Sequence, residues 1–183
     1  MQLKQAIENQ RPVYVEGPIG DEKNAASLRP FVQNIKNVEY LVLVSAGSGM
    51  TPMLQLLEYT LGTKSIYPKL GIVWVGCHSS MDEVEMCKSQ RLHFNKLAEK
   101  AGLKWHEMFY LSEQKVQPVA TETQEIISHR LRDTSDLKQL PVFAAENQHT
   151  ALTFVCGSPM FSLHIGKLMD DAGVSRRNVF SFQ

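Results

Sequence analysis

The segment between Tyr40 and Gly62 constrains the fold of this chain more than any other part of it. It opens with the apolar run Tyr40-Leu41-Val42-Leu43, which is typical of a buried parallel strand. A turn of small residues follows at 46–49 and leads into a stretch with helical spacing at 53–62. Glycines let a ligand approach the backbone, and the free N–H groups and dipole of a helix N-terminus attract phosphate. The segment therefore predicts a nucleotide-binding turn between a strand and a helix.

Three residues are expected to set the limits of this helix. Thr51 can serve as its N-cap, Pro52 suits its first position, and Gly62 suits the position just past its end. These limits leave Gly47 and Gly49 in the turn that precedes the helix.

The rest of the chain alternates between strand-like and helix-like segments. The later strand-like segments are Leu70–Gly76, Lys104–Leu111, Ala151–Cys156 and Asn178–Phe182. The helix-like segments are a long one from Val84 to Ala101 with Gly102 as its stop, then Glu122–Arg132 and Pro159–Ala172. This alternation predicts an α/β fold of the doubly wound, Rossmann-like type, with a five-stranded parallel sheet and helices on both faces. Ligands bind such sheets at the carboxyl ends of the strands.

Composition narrows the classes of function. Lys and Arg total 19, as do Asp and Glu, so the chain has no general attraction to nucleic acid or to an anionic membrane. No apolar run approaches the roughly 20 residues of a membrane span, and no signal-peptide pattern is present. Cys77, Cys87 and Cys156 lack CxxC spacing, so neither a zinc site nor a disulfide framework is indicated. We expect no metal site, and a cytoplasmic or other reducing intracellular location.

A second motif of strand, glycine turn and helix lies near the C-terminus, at Phe154-Val155-Cys156-Gly157-Ser158-Pro159-Met160. With the first motif, Ala46-Gly47-Ser48-Gly49-Met50-Thr51-Pro52-Met53, it resembles the two loops of the nicotinamide-binding lobe in the ferredoxin–NADP reductase superfamily. Within that superfamily the sequence looks most like cytochrome b5 reductase. The second loop differs from the family pattern, because it is one residue shorter before its Met and has Ser158 where the family has Pro.

The resemblance also implies a domain organisation. Gly17-Pro18-Ile19-Gly20 resembles the turn that ends the flavin lobe of the family. Residues 1–35 are therefore expected to be the end of that lobe plus a linker, and residues 36–183 to be the NAD(P)H-binding domain. The barrel of the flavin lobe, with its Arg-x-Tyr-Ser/Thr motif, has no counterpart in the sequence. FAD is thus expected to be held by a flavin-binding lobe of the same polypeptide or complex.

The resemblance implies roles for both loops. Ser48 and Cys156 are the expected catalytic residues, because they match positions beside the nicotinamide ring. The expected cofactor-binding residues of the loops are Gly47, Ser48, Gly49, Thr51, Pro52, Cys156, Gly157, Ser158, Pro159 and Met160. In the family, hydride passes from NADH or NADPH to FAD, and single electrons then move to a haem or iron–sulfur acceptor. The lobe supplies orientation, and the cofactors supply the chemistry.

Further residues are expected to bind the cofactors outside these loops. Phe182, with Phe180, resembles the aromatic residues near the flavin, although one of the pair packing inward and the other outward is an equal alternative. NADP-specific relatives carry Ser-Arg after the third strand, whereas this chain has Ser112-Glu113. A carboxylate there repels a 2′-phosphate and accepts a hydrogen bond from a ribose hydroxyl, so NADH is preferred, with NADPH also possible. His78 is expected to line the adenosine side.

Two other functions compete with a reductase lobe. A non-catalytic dinucleotide-binding module is one, since the flavin lobe has no counterpart in the sequence. An S-adenosylmethionine-dependent methyltransferase is the other, although Ser45 and Cys77 stand where such enzymes carry acidic residues. The absence of a GxxxxGK[ST] motif disfavours a nucleoside triphosphatase, and the absence of G-x-S-x-G disfavours a hydrolase.

Overall fold

The computed structural model of this protein describes residues 38–62, 69, 71–113, 119–121, 123–138 and 150–182. The expected lobe end and linker at 1–35, with the Gly17-Pro18-Ile19-Gly20 turn, lie outside these residues. The strands are β1 Tyr40–Ala46, β2 Gly71–His78, β3 Lys104–Leu111, β4 Val119–Ala120, β5 Gln124–Ile127, β6 Ala151–Cys156 and β7 Val179–Phe182. The α-helices are α1 Met50–Leu57, α2 Met81–Met86, α3 Lys88–Lys100, α4 Thr134–Lys138 and α5 Pro159–Asp171.

The strands form one seven-stranded sheet in the order β4-β5-β3-β2-β1-β6-β7. Six of them are parallel, and the short β4 pairs antiparallel with β5 at one edge. The chain builds outward from β1 in one direction, then returns to its other side with β6. The carboxyl ends of β1 and β6 thus flank the switch point, where a doubly wound sheet binds its ligand. The predicted Rossmann-like class is confirmed, with six parallel strands instead of five.

Helices cover both faces of the sheet because successive strand residues point to opposite sides. One face carries Val42, Val75 and Tyr110, which share a buried cluster with Ile165 of α5 and Leu137 of α4. On the other face, Phe109 and Leu111 pack against Val84 of α2. The near-continuous apolar runs of the central strands follow from this coverage on both sides.

A buried ion pair reinforces the second face. An Arg91 nitrogen of α3 lies 2.6 Å from an oxygen of Glu107 in β3, and both side chains are more than nine-tenths buried. The Arg91 guanidinium also lies 4.6 Å from the centre of the Phe109 ring and donates to the Val84 carbonyl oxygen. Burial raises the pKa of Glu107, against the opposing attraction of Arg91. The pair ties α3 to the sheet.

The helix predicted over Glu122–Arg132 is wrong. Residues Gln124–Ile127 form β5, whose Ile127 stands opposite Tyr110 in the parallel ladder with β3. The apolar spacing of Ile126, Ile127 and Leu131 suggested a helix, but two adjacent β-branched residues also suit a strand. The open edge of β3 favours the strand, because pairing with β5 satisfies backbone N–H and C=O groups along that edge. The local sequence pattern does not reveal that such an edge is present.

The long predicted helix is interrupted. It forms α2 and α3, which are separated at Cys87, where φ is −111° and ψ is 20°. Gly102 ends it as predicted, with a left-handed φ of +74°. Among the helices that the structure describes, none has the length and apolar character needed to cross a membrane.

Candidate nucleotide site at the switch point

The two glycine loops identified in the sequence touch each other. They leave neighbouring strands, since Ser45 of β1 stands opposite Cys156 of β6. A Cβ atom added to Gly49 would lie 2.2 Å from the Cys156 carbonyl oxygen and 3.0 Å from the Gly157 nitrogen. Only a glycine at position 49 lets the two backbones approach so closely. The fold thus joins two motifs that are far apart in sequence into one place at the switch point.

The first loop has an unusual backbone at Gly47. Its φ of +52° lies in the left-handed region, and no atom lies within 4 Å of the position that a Cβ would occupy. Glycine is needed here for conformation, and the space above it is open. Gly47 and Ser48 are both exposed. The loop therefore offers its backbone and the Ser48 side chain to solvent at the carboxyl end of β1.

The expected N-cap role of Thr51 is wrong. The chain enters a 3-10 turn at Gly47–Gly49 and continues directly into α1 at Met50, so that Gly49 is the N-cap residue and no side chain caps the helix. Thr51 is already inside the helix. Pro52 occupies its third position rather than its first. The helix continues past Leu57 as a π-helical turn over Glu58–Gly62.

In the second loop, Ser158 is the N-cap of α5. Its hydroxyl oxygen accepts a hydrogen bond from the Phe161 N–H at 3.2 Å, and Pro159 takes the first helical position. A Cβ on Gly157 would lie 2.5 Å from the Phe161 ring, so this ring packs directly over the glycine. Met160 is 74% exposed. The Ser158 hydroxyl is therefore engaged in the protein, while Met160 faces solvent.

A cavity of about 520 Å³ opens beside the first loop, at the carboxyl ends of β1, β2 and β3. Three of the residues predicted to bind the cofactor line it: Gly47, His78 and Ser112. Other predicted residues lie outside its lining, namely Ser48, Gly49, Thr51, Pro52, Glu113, Cys156, Gly157, Ser158, Pro159, Met160 and Phe182. A volume of this size is typical of ligand pockets.

Backbone hydrogen bonds hold the polar rim of the cavity. The Ser112 N–H donates to the His78 carbonyl oxygen at 2.9 Å, and the Glu113 N–H donates to the Ser79 carbonyl oxygen at 3.2 Å. Glu113 itself is exposed. These bonds fix the end of β3 against the turn after β2, so that Ser112 and His78 share one edge of the cavity.

A histidine and a glutamate form the polar floor. His78 is buried, and its Nδ1 lies 3.6 Å from a carboxylate oxygen of Glu83. Burial lowers the pKa of His78, although the Glu83 carboxylate acts in the opposite direction. Glu83 accepts hydrogen bonds from the Ser79 hydroxyl and, at 3.0 Å, from the Ser79 N–H. The bond from the Ser79 hydroxyl is the main reason that the pKa of Glu83 is lowered. At neutral pH the floor therefore holds a neutral imidazole beside an ionised carboxylate.

The two cysteines near the switch point carry protonated thiols at neutral pH. Burial raises the pKa of Cys77 to about 12 and also raises the pKa of Cys156. Since the thiolate is the nucleophilic form, neither side chain is suited to nucleophilic catalysis. Any contribution of Cys156 to a reaction at this site would come from its shape and position.

The C-terminal aromatic residues share one side of the sheet. Phe182 stacks on Phe154 with ring centres 5.8 Å apart, and Phe180 contacts the same ring at 5.7 Å. Residues i and i+2 of a strand point the same way, which excludes the alternative that one packs inward and the other outward. Phe182 is half-buried at the end of β7 beside Cys156, its partner in register.

Sequence reasoning missed one whole wall of the cavity. It consists of Arg130, Leu131 and Arg132, together with Phe161 and His164 of α5. The incorrect helix over 122–132 hid the first three, because in a helix they would point to different sides. His164 Nε2 lies 3.2 Å from the Leu131 carbonyl oxygen, which joins this segment to α5. Two arginines flanking one leucine are a weak sequence signal. Their position beside the cavity can be recognised only once the order of the strands in the sheet is known.

No family model matches the chain, but a curated protein is similar to it over most of its length. It is 28% identical over 149 residues to cytochrome b5 reductase 4 of Xenopus tropicalis, covering 81% of this chain and 26% of that protein. The chain thus spans about a quarter of the length of this curated relative.

Solved structures extend the comparison. The CS-b5R domains of human Ncb5or in the NAD+ form share 25% identity with a TM-score of 0.58, over 92% of this chain and 40% of that one. Flavohemoglobin of Malassezia yamatoensis matches with a TM-score of 0.57 at 18% identity, over 82% of this chain and 33% of the other, which supports the fold alone. Together with the two glycine loops, these matches confirm that the chain resembles the nicotinamide-binding lobe of the ferredoxin–NADP reductase superfamily, including cytochrome b5 reductase.

Proposed function

We propose that this chain is the NAD(P)H-binding domain of a flavin-dependent oxidoreductase, in which hydride passes from NADH to FAD. The contact between the Gly49 and Cys156 backbones carries the proposal, because it places both family loops at the switch point of the sheet. The NAD+ form of the human Ncb5or domains, a structural neighbour, supports the choice of a nicotinamide dinucleotide.

The residues present fit such a ligand. The open space over Gly47 admits a group against the backbone, and the dipole at the start of the helical run, which begins with the 3-10 turn at Gly47–Gly49, suits a phosphate. The cavity that begins at Gly47 continues past His78 to Ser112, which gives an elongated ligand a continuous path along the ends of three strands. Adenosine would lie at the Ser112 end, and the nicotinamide would lie toward the junction of the two loops.

In this proposal the chain acts by positioning. When bound, the dinucleotide supplies the hydride, and a flavin held by another lobe of the polypeptide or complex takes it up. Ser48, exposed at the loop, would orient the reacting nicotinamide ring. The Gly49–Cys156 contact would fix the position of that loop relative to β6. Cys156 would limit the space beside the ring with a neutral thiol. Onward transfer to a haem or iron–sulfur acceptor belongs to the whole protein, and the isolated lobe is expected to be inactive as a reductase.

The preference for NADH remains a prediction. It rests on Glu113, which is exposed and outside the lining of the cavity. The expected reducing location also remains a prediction.

Titration of NADH, NADPH and S-adenosylmethionine against the chain tests the proposal. Two-dimensional NMR gives the readout, because binding at the site shifts the amide signals of Gly47 and Gly49 and leaves that of Gly102 unchanged. Ser48→Leu fills the exposed space over the loop and should weaken dinucleotide binding by about tenfold, or about 1.4 kcal/mol. Ser89→Leu, on the exposed surface of α3, is the matched control. Tight binding of S-adenosylmethionine without dinucleotide binding would contradict the proposal and favour the methyltransferase.

A further inference from the structure

Two arginines stand on the wall of the cavity, and the part of the chain that the structure describes holds no acidic partner for their charge. Arg130 and Arg132 both line it and both are exposed. Among the described residues, no carboxylate oxygen lies within 4.0 Å of either guanidinium. Glu83 also lines the cavity, but its carboxylate is engaged by Ser79. The wall therefore presents two available cations to whatever occupies the cavity.

The backbone that carries these arginines is anchored. Leu131, between them, is 6% exposed and belongs to the main buried cluster, and its carbonyl oxygen accepts from His164. The Arg132 N–H donates to the Asp136 carboxylate at 2.9 Å. Because both sides of the segment are held, the guanidinium groups project from a fixed support rather than from an unanchored loop.

The segment that carries Arg130 and Arg132 lies beside the proposed path of the ligand. It follows β5, whose Ile127 pairs with Tyr110 of β3, and so it lies next to the end of β3 where Ser112 lines the same cavity. Gly47 lines the cavity from the end of β1. A dinucleotide that extends from Gly47 to Ser112 would carry its phosphates past this wall.

We infer that Arg130 and Arg132 bind a phosphate group of the dinucleotide, an inference that rests on the proposed function. A guanidinium forms paired hydrogen bonds with phosphate oxygens and remains charged at all relevant pH values. The phosphate is either the pyrophosphate, which NADH and NADPH share, or the 2′-phosphate, which only NADPH carries. In the second case these arginines take the place of the arginine that NADP-specific relatives carry after the third strand. The chain then accepts NADPH despite Glu113.

Binding of NADH and of NADPH to the full 183-residue chain and to Arg130→Ala/Arg132→Ala tests the inference. We expect the dissociation constant to rise about tenfold, or about 1.4 kcal/mol. An equal rise for both dinucleotides identifies the pyrophosphate, and a rise for NADPH alone identifies the 2′-phosphate. Lys100→Ala/Arg177→Ala removes the same charge from exposed positions outside the cavity and should leave both constants unchanged.

Two further measurements keep the test decisive. The doubly substituted Arg130→Lys/Arg132→Lys chain keeps the charge but loses the paired geometry, and it should bind with intermediate affinity. Salt should weaken wild-type binding more than that of the alanine variant, because screening acts on the removed charges. Unchanged constants in the alanine variant would overturn the inference and leave the proposed function standing. Failure of the wild-type chain to bind either dinucleotide would overturn both.

Discussion

The contact between the two glycine loops can be tested with one methyl group. In Gly49→Ala the new Cβ would lie 2.2 Å from the Cys156 carbonyl oxygen and 2.6 Å from its carbonyl carbon. Ordinary van der Waals contact begins at 3.4 Å, so the two loops must separate by about 1.2 Å. Both atoms of Cys156 belong to the backbone of β6, a strand held on both sides by β1 and β7. The strain therefore cannot be relieved by rotating a side chain.

The expected cost follows from two opposing effects. Overpacking of this kind costs typically about 1–3 kcal/mol. Position 49 has ordinary helical angles, φ −62° and ψ −9°, so replacing glycine also gains about 0.4–1 kcal/mol by restricting the unfolded chain. The net loss should be about 1–2 kcal/mol, which lowers the melting temperature by roughly 2–8 °C in a domain of this size.

Thermal unfolding followed by circular dichroism measures this effect. Gly166→Ala is the matched control, since no atom lies within 4 Å of its added Cβ and the residue is inside α5. That variant should be stabilised by about 0.5–1 kcal/mol. Gly49→Ala should also weaken dinucleotide binding, because the loop moves away from β6. A Gly49→Ala chain as stable as Gly166→Ala, with unchanged binding, would refute the contact between the loops and the reasoning built on it.

Three other changes give measurable outcomes. Ser158→Ala removes the N-cap of α5 and should cost about 1 kcal/mol in urea unfolding, whereas Ser158→Asp should retain most of the stability. Arg91→Met leaves the Glu107 carboxylate buried without its cation and should cost about 3–5 kcal/mol, much of it recovered in Arg91→Met/Glu107→Leu. Burial lowers the pKa of His78, so its contribution to stability is complete above pH 6.5 and declines as the pH falls through the folded pKa. His78→Gln should flatten this part of the stability–pH curve, and an unchanged slope would contradict the assignment to His78.

The sequence predicted those parts of the fold that depend on local pattern. The five predicted strands are present because their apolar runs are buried on both faces of the sheet, as in Leu43 and Val75, both fully buried. The sixth, β5, was missed because it exists through pairing with β3, and its residues alone fit a helix as well. Thr51 was misjudged for a similar reason. The 3-10 turn that begins at Gly47 starts the helix early, and nothing in the spacing of side chains indicates it.

The candidate site likewise contains residues that the sequence pattern indicates and residues that it does not. Gly47 and Gly49 were recognisable as glycines of a turn that was expected to let a ligand approach the backbone, and the structure adds a left-handed φ at Gly47 and a close approach of Gly49 to Cys156. Arg130 and Arg132 were not recognisable, because the sequence does not distinguish an arginine of a binding site from any other surface arginine until the neighbouring strand is known. In our proposal the glycine loops set the class of ligand, and Arg130 and Arg132 face its phosphate groups. From that proposal we expect chains that share both glycine loops to differ in nucleotide preference through the segment after β5, without any change in the loops themselves.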